Sequence, residues 1–403
     1  MVELTDWIAE AQSRGAVIVG KRLSANDTGA TGAHQAGPYV TRSVVDEVFA
    51  EMLGLEGVEN PKSLVHTSFS SHLVATQDVT LTWYNNRLRD GTRNEFRLTG
   101  WGGKSSPMLN PDSTGSLALF AFERPRSGTF VCDVWLCRSL VEEEVTEASL
   151  GSVDPGEMTV LFSPGNTVSA VQQTLESVLI PSTWVGEFPT AQELVAESVK
   201  RVPGRTVGID RLLVQRRALE YDLFRQVEDS VALPRIKGGF TTLDEFIQFA
   251  GSLTNRRKAR SGRSLELQLV DLFVRAGVQF DHGPVIESGK RPDFLFPSVA
   301  AYNDPGLQGE RLTMLAVKTT CKDRWRQILN EASRIPNKHL LTLQEGVSEG
   351  QYAEMVEAHV ILVVPEPLHE KYPKSVRASL LTLQDFIDHL LSLETLATPG
   401  HAG

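Results

Sequence analysis

Three side chains in the C-terminal half of the chain are of types that could hydrolyse a phosphodiester: Asp293, Lys318 and Glu331. Asp293 follows Pro292 and opens the apolar run Phe294-Leu295-Phe296. Lys318 ends a second apolar run, Met314-Leu315-Ala316-Val317. Period-two alternation puts Lys318 on the face of Ala316 and Met314, so a cation closes an otherwise apolar strand. The spacing predicts a helix starting near Asp323, with Trp325, Ile328, Leu329, Ala332 and Ile335 as its buried stripe. Glu331 would lie on its flank with Arg324 and Gln327. A fourth residue, Glu266, shares a helix face with Leu269, Val270 and Phe273. A carboxylate there is costly to bury unless it is paired.

Carboxylate oxygens suit Mg²⁺, which keeps several waters and also takes a phosphate oxygen. The cation activates a water and offsets charge on the leaving oxygen, and a lysine beside it stabilises the phosphate or helps deprotonate the water. Taken singly, each residue has an ordinary structural reading: a turn or cap for Asp293, a solvated strand end for Lys318, a helix-surface acid for Glu331. The order acid, strand, lysine, acid is what points to a nuclease. Pro111-Asp112 is followed by no lysine until Lys200 and reads as a turn.

The elements that must carry these residues change in texture along the chain. From about 60 to 165 the sequence shows short β-type runs broken by Gly, Pro, Asn and Asp, such as Val79–Tyr84, Leu117–Phe122 and Thr129–Leu136. That pattern predicts a sandwich or barrel. Helical periodicity dominates 211–230, 242–253 and 264–276. Strand-like runs follow at Asp293–Phe296, Leu312–Thr319, Leu340–Leu343 and Val360–Val364, with helical patterns between the last three. This reads as an α/β unit on a mixed sheet. The join falls within 165–185, which is rich in turn residues.

The 403 residues suffice for two domains with proper cores. Three cysteines exclude a disulfide scaffold, and Cys132 and Cys137 lack zinc-spaced partners. No apolar run is long enough to span a membrane and the first residues do not form a signal peptide, so a cytoplasmic protein is expected. Gly103-Lys104-Ser105 lacks the glycine that a phosphate-binding loop needs at position 98, which is Leu98. The net charge of −10 argues mildly against nucleic acid as a partner. Its distribution does not. Residues 1–178 hold 13 basic and 22 acidic side chains, whereas residues 200–334 hold 23 and 16. Basic islands also stand at 14–42 and 81–104. The acidic body, including Glu142, Glu143 and Glu144, would restrain non-specific DNA binding.

The segment from Met314 through Lys318 to Glu331, with Arg291–Ser298 before it, resembles the EcoRII-type restriction endonucleases. Lys21–Gly32, Thr92–Glu95 and Asn255–Lys258 extend the resemblance over essentially the whole chain. It implies a type IIE enzyme of multidomain α+β class. Residues 1–172 would form a β-rich DNA-binding pseudobarrel, the effector domain. Residues 173–403 would form a restriction-endonuclease-like core of the PD-(D/E)xK class. The family is a Mg²⁺-dependent homodimer that cuts the duplex 5′-CCWGG before the first C. Its effector domain binds a second copy of the site and is thought to relieve inhibition of the catalytic domain. The usual second acid, two residues before the lysine, is Ala316 here. In the related subfamily that acid lies thirteen residues after the lysine, which is Glu331. The resemblance thus implies Asp293 and Glu331 as metal ligands, Lys318 as the catalytic lysine and Glu266 as an accessory acid, with an arginine partner as the rival role for Glu266.

The same resemblance implies the DNA contacts. Lys322, Asp323 and Arg324 would read base edges, since a cation can donate to guanine and an acid accept from cytosine; Asp323 would also suit a helix cap. Arg217 and Tyr221 match the segment that holds flipped-out bases, the alternative being a helix-surface Arg and a core Tyr. In the effector domain one arm, about 31–39, would carry His34 and Tyr39. The other, about 87–97, would carry Arg87, Arg93, Glu95 and Arg97. Lys21 and Arg22 would meet phosphate, and Phe96 has no assigned role. A cognate cytosine methyltransferase would protect the host. The competing readings are a repair-type nuclease and a DNA-binding regulator with a decayed nuclease core.

Overall fold

The computed structural model describes residues 3–32, 36–123, 129–151, 153–164, 180–204 and 206–395. The expected domain boundary at 172/173 and His34 lie outside these residues.

The N-terminal part is an eight-stranded sheet. Its strands are β1 (Val17–Arg22), β2 (Tyr39–Val40), β3 (Lys62–Phe69), β4 (Gln77–Tyr84), β5 (Glu95–Thr99), β6 (Leu117–Glu123), β7 (Phe130–Leu136) and β8 (Met158–Phe162). They run in the order β2-β5-β4-β3-β7-β6-β1-β8, antiparallel except for β3 with β7. The sheet curls until its edges nearly meet: Thr41, just after β2, donates its hydroxyl to the Met158 carbonyl of β8 at 2.6 Å. This is the expected pseudobarrel. β6 is buried on both faces because alternation serves two cores. Ala118, Phe120 and Phe122 fill the barrel interior. Leu117, Leu119 and Ala121 face Trp7 and Ile8 of helix α1 (Leu4–Ser13). Helices α2 (Arg42–Val48) and α3 (Leu140–Leu150) complete the unit. Phe96 stacks on Trp83 with centroids 4.9 Å apart, which makes it a core residue.

The C-terminal part begins with α4 (Ala191–Arg201), α5 (Ile209–Gly238) and α6 (Leu243–Ala276). The two helices expected at 242–253 and 264–276 are one, because the intervening segment lacks proline and is rich in Arg, Lys and Ala. The sheet that follows comprises β9 (Asp281–His282), β10 (Phe294–Phe296), β11 (Thr313–Lys318), β12 (Lys338–Thr342) and β13 (Val360–Val363). It is mixed, as expected. β9, β10 and β11 are antiparallel neighbours, and β11, β12 and β13 are parallel. Helices α7 (Val299–Asn303), α8 (Glu349–Glu357), α9 (Lys374–Arg377) and α10 (Leu383–Thr395) lie around it. β11 separates two cores by alternation: Leu315 and Val317 pack with Leu269, Phe273 and Phe386, while Met314 and Ala316 pack with Trp325 and Ile328.

The helix expected from Asp323 is a correction. Only a 3₁₀ turn forms, over Arg324–Ile328, and Ala332 adopts a left-handed φ of 45°. Pro336 blocks a long continuation, and lysine side chains take the carbonyls a helix would have used. The apolar residues are still inside: Trp325, Ile328, Ala332 and Ile335 are buried, and Leu329 is half-buried. Among the described residues no helix is long and apolar enough to cross a membrane.

A second correction concerns Lys21 and Arg22. Neither offers its charge to phosphate, because both are buried, at 1% and 4% exposure. Lys21 sits 3.6 Å from Asp27. Arg22 bonds Glu143 and Glu147 of α3, each at 2.7 Å. Glu142 pairs with Arg138 at 2.6 Å, so of the expected acidic patch only Glu144 is fully exposed. The run therefore serves the fold more than it screens DNA. Arg22→Met should leave two buried carboxylates without their cation and cost about 3–5 kcal/mol. Urea unfolding of the full chain should show an earlier first transition; an unchanged midpoint would contradict the role given to this triad.

Candidate active site

The antiparallel pairing of β10 with β11, Phe294 opposite Leu315, sets Asp293 beside the C-terminal end of β11. Oδ2 of Asp293 accepts the Val317 N–H at 2.7 Å and the Lys318 ammonium at 3.1 Å. Both side chains remain about one-fifth exposed, so they can still meet a ligand. The Asp293 carbonyl accepts the Gly283 N–H at 2.9 Å, which fixes the backbone as well.

Glu331 comes from the turn after the 3₁₀ segment. Its pKa is pushed up to about 7. Burial is the largest cause and the like charge of Asp293 adds to it, opposed by Lys318, Lys338 and Lys290. The structure thus brings Asp293, Lys318 and Glu331 into one electrostatic neighbourhood. Among the described residues no hydrogen bond or ion pair holds the Glu331 carboxylate itself.

Glu266 stands one layer away on α6. Its Oε2 lies 2.8 Å from His282 Nε2 and 3.7 Å from Arg263. The His282 ring stacks on Phe294, next to Asp293, with centroids 4.9 Å apart. The arginine partner of the rival reading is present, and so is a histidine that the sequence did not single out. A histidine in a two-residue strand carries no periodic signal, which is why pattern reading passes over it.

The residues expected to contact DNA fall into several groups. Arg217 is 8% exposed and donates to Glu220 at 3.1 and 3.2 Å and to the Ser264 hydroxyl. Tyr221 lies under the Arg260 guanidinium, 5.2 Å from its ring centroid. Both line a cavity of about 310 Å³ that begins at Thr319, directly after Lys318. The opposite wall belongs to the N-terminal part: Asp154, Pro155, Glu157 and Thr159. Asp154 is bonded across this boundary to Arg260 at 2.6 Å. Lys322 donates to the Ser116 hydroxyl of the N-terminal part. Asp323 lies 3.4 Å from Arg326, makes no cap hydrogen bond, and is followed by a half-buried Arg324.

In the barrel, Tyr39 is opposite Arg97 across β2 and β5. Arg97 donates to the Gly37 carbonyl at 3.1 Å, and Arg93 to Glu95 at 2.9 Å while lying over the Tyr84 ring. Arg87 is exposed and donates to the Thr92 carbonyl at 3.1 Å. The two expected arms therefore meet at one edge of the sheet.

The boundary between the two parts is built largely from residues that the sequence did not mark. Ala25 N–H donates to the Glu345 carbonyl at 2.8 Å, and Ser348 to Asp112 at 3.1 Å. Gln344, 1% exposed, accepts the N–H groups of Cys321 and Lys322 at 2.9 and 3.1 Å. It also packs so close to Gly115 that a Cβ there would come within 2.7 Å.

Comparison with known proteins gives the same picture from sequence. Residues 224–387 match the family model described as EcoRII C terminal. Residues 12–164 match that of restriction endonuclease EcoRII, N-terminal. The chain is 42% identical over 396 residues to the type II restriction enzyme EcoRII of Escherichia coli, covering 96% of this chain and 97% of that one. Among solved structures, metal-depleted Ecl18kI in complex with uncleaved, modified DNA is 19% identical, covering 54% of this chain and 82% of that one at a TM-score of 0.45. The restriction endonuclease PspGI–substrate DNA complex is 17% identical, covering 55% and 100% at a TM-score of 0.43.

The raised pKa of Glu331 makes this carboxyl a source of instability. Between about pH 4.5 and 7 the unfolded chain gives up this proton first, so stability falls as pH rises through that window. Glu331→Gln removes the penalty. In buffer free of divalent cations the variant should be about 1–2 kcal/mol more stable than the parent at pH 8, after allowance for solvent screening, and equal to it at pH 4. Denaturant titration at the two pH values checks this; a less stable variant at pH 8 would contradict it.

Proposed function

The chain belongs to the EcoRII family of type II restriction enzymes, and from that premise we propose that it is a Mg²⁺-dependent endonuclease of 5′-CCWGG duplexes whose reaction is carried by Asp293, Lys318 and Glu331. The observation that carries this reading is the contact of Lys318 with Asp293 at 3.1 Å beside a carboxyl raised to about 7. Two partly buried oxygen donors in one neighbourhood, where the charge of Asp293 adds to the burial that raises Glu331, suit a divalent cation that needs only one or two carboxylates. When bound, the cation would activate the attacking water and offset charge on the leaving oxygen. Asp293 and Glu331 would hold it. Lys318, held in place by its contact with Asp293, would stabilise the charge gathering on the phosphate. Glu266, oriented by His282, would support the site without holding the cation.

Lys322, Asp323 and Arg324 would read bases, and Arg217 with Tyr221 would take up the flipped central bases in the cavity they line. The effector domain would bind a second copy of the site through Tyr39, Arg87, Arg93, Glu95 and Arg97, together with His34. Dimerisation of the catalytic parts would set the two cuts, and a cytosine methyltransferase would protect host DNA. The bond from Lys322 to Ser116 and the wall of Asp154, Pro155, Glu157 and Thr159 over the Arg217–Tyr221 cavity support an inhibitory role for the effector domain. In this arrangement Lys322 and the Arg217–Tyr221 cavity face the N-terminal part.

The direct test is cleavage of one-site and two-site duplexes with Mg²⁺, followed by sequencing of the ends. Uniform ends before the first C of 5′-CCWGG are expected; random or lesion-dependent nicking would point to a repair-type nuclease. Asp293→Ala should abolish cleavage and spare binding, and retained cleavage would remove Asp293 from the site. Asp154→Asn weakens a charge-assisted bond across the domain boundary and should raise one-site cleavage about tenfold, equivalent to about 1.4 kcal/mol. An unchanged rate would sink the inhibitory contact.

A further inference from the structure

Glu331 lies on an irregular turn, and its carboxylate has no hydrogen-bonding partner among the described residues. Its position must therefore come from the backbone. That backbone contains a left-handed alanine, Ala332 at φ 45°, a conformation that costs an L-residue about 1–2 kcal/mol and persists only where neighbours impose it. Three charged side chains supply the constraint. Glu287 Oε1 accepts the Ser333 N–H at 2.7 Å. Lys290 donates to the Asn330 carbonyl. Lys338 donates to the carbonyls of Ala332 and Ile335 at 2.7 and 2.5 Å. Together they hold the residues on both sides of Glu331.

Glu287 and Lys290 stand on one short loop. The Ile286 N–H donates to the Lys290 carbonyl at 3.0 Å and the Lys290 N–H to the Glu287 carbonyl at 3.2 Å, so the two side chains are presented as a unit. This loop leads directly into Asp293. It thus grips the turn bearing one carboxylate and feeds the strand bearing the other. Burial by itself would raise the Glu287 carboxyl, but the donated Ser333 N–H and the nearby Tyr302 and Ser333 hydroxyls bring it down to about 2, so it accepts as a carboxylate at neutral pH.

We propose that Glu287 is a positioning residue for the metal-binding pair: with Lys290 it fixes the turn carrying Glu331 to the loop that leads into Asp293, and so sets the spacing of the two carboxylates. This rests on the reading of Asp293 and Glu331 as ligands. Residues that orient metal ligands typically account for tenfold to a hundredfold in affinity or activity.

Mn²⁺ binding to the full-length protein, followed by the electron paramagnetic resonance signal of the free ion, tests it. Glu287→Ala should raise the Kd about tenfold. Glu287→Gln, which still offers an oxygen to the Ser333 N–H, should recover most of the affinity. Lys290→Met, at a half-buried site where folding is not at stake, should weaken binding in the same direction. Glu331→Gln should weaken it at least as much, and adding Glu287→Ala to that variant should bring little further loss, because both act through one carboxylate. Parental affinity in both Glu287→Ala and Lys290→Met, or additive losses in the double variant, would overturn the proposal while leaving the ligand reading intact. Parental affinity in Glu331→Gln would remove the ligand reading and this proposal with it.

Discussion

Two donors converge on one oxygen of Asp293: the Val317 amide and the Lys318 ammonium. The antiparallel register of β10 and β11 makes this meeting possible, and much of the catalytic part serves to keep that register. Phe294 and Leu315 sit opposite one another in the core shared with α6, where Leu269 and Phe273 pack on them. Ala316 faces the other core, where Trp325 and Ile328 close over it. A one-residue slip would turn Lys318 to the opposite face and put Val317 where a cation is needed. Apolar packing on both faces of β11 is therefore what fixes a polar pair at its end.

Charge imposes the second constraint. Burial is the main cause that pushes the half-buried Glu331 carboxyl up to about 7, and the like charge of Asp293 adds to it. Burial of Ile328, Ala332 and Ile335 contributes to keeping the turn in place, and the lysines around it take up its loose carbonyls. The packing offsets the cost of holding a raised carboxyl beside Asp293.

Asp293 and Lys318 were legible in the sequence because strand alternation is a local, period-two signal, and each is placed by the apolar run it opens or closes. Glu331 was legible as a residue and not as a structure: Pro336 and the left-handed Ala332 break the helix that its apolar stripe suggests. Lys21 and Arg22 were misjudged for a different reason. Nothing within their own strand marks them as buried; the acids that hold Arg22, Glu143 and Glu147, lie more than 100 residues away on α3. The short strands of residues 60–165 followed from punctuation by turn residues, which left sandwich or barrel open until the resemblance implied a pseudobarrel, whereas β1, β2 and the contact with the catalytic part carried no such signal. That contact uses Gly115, Ser116, Asp154 and Gln344, residues whose roles depend on what folds against them. Net charge was the least informative quantity, since many of the cations are already committed to acids within the fold.

The central claim is that Asp293, Lys318 and Glu331 surround one divalent cation. Oxidative affinity cleavage addresses it most directly: Fe²⁺ replaces Mg²⁺ in the full-length protein, ascorbate and peroxide are added, and the peptide fragments are mapped. Backbone cuts should cluster near residues 293, 318 and 331, and should fade with excess Mg²⁺ or in Asp293→Ala. Cuts elsewhere in the chain, or cuts at these positions that excess Mg²⁺ leaves unchanged, would contradict the account.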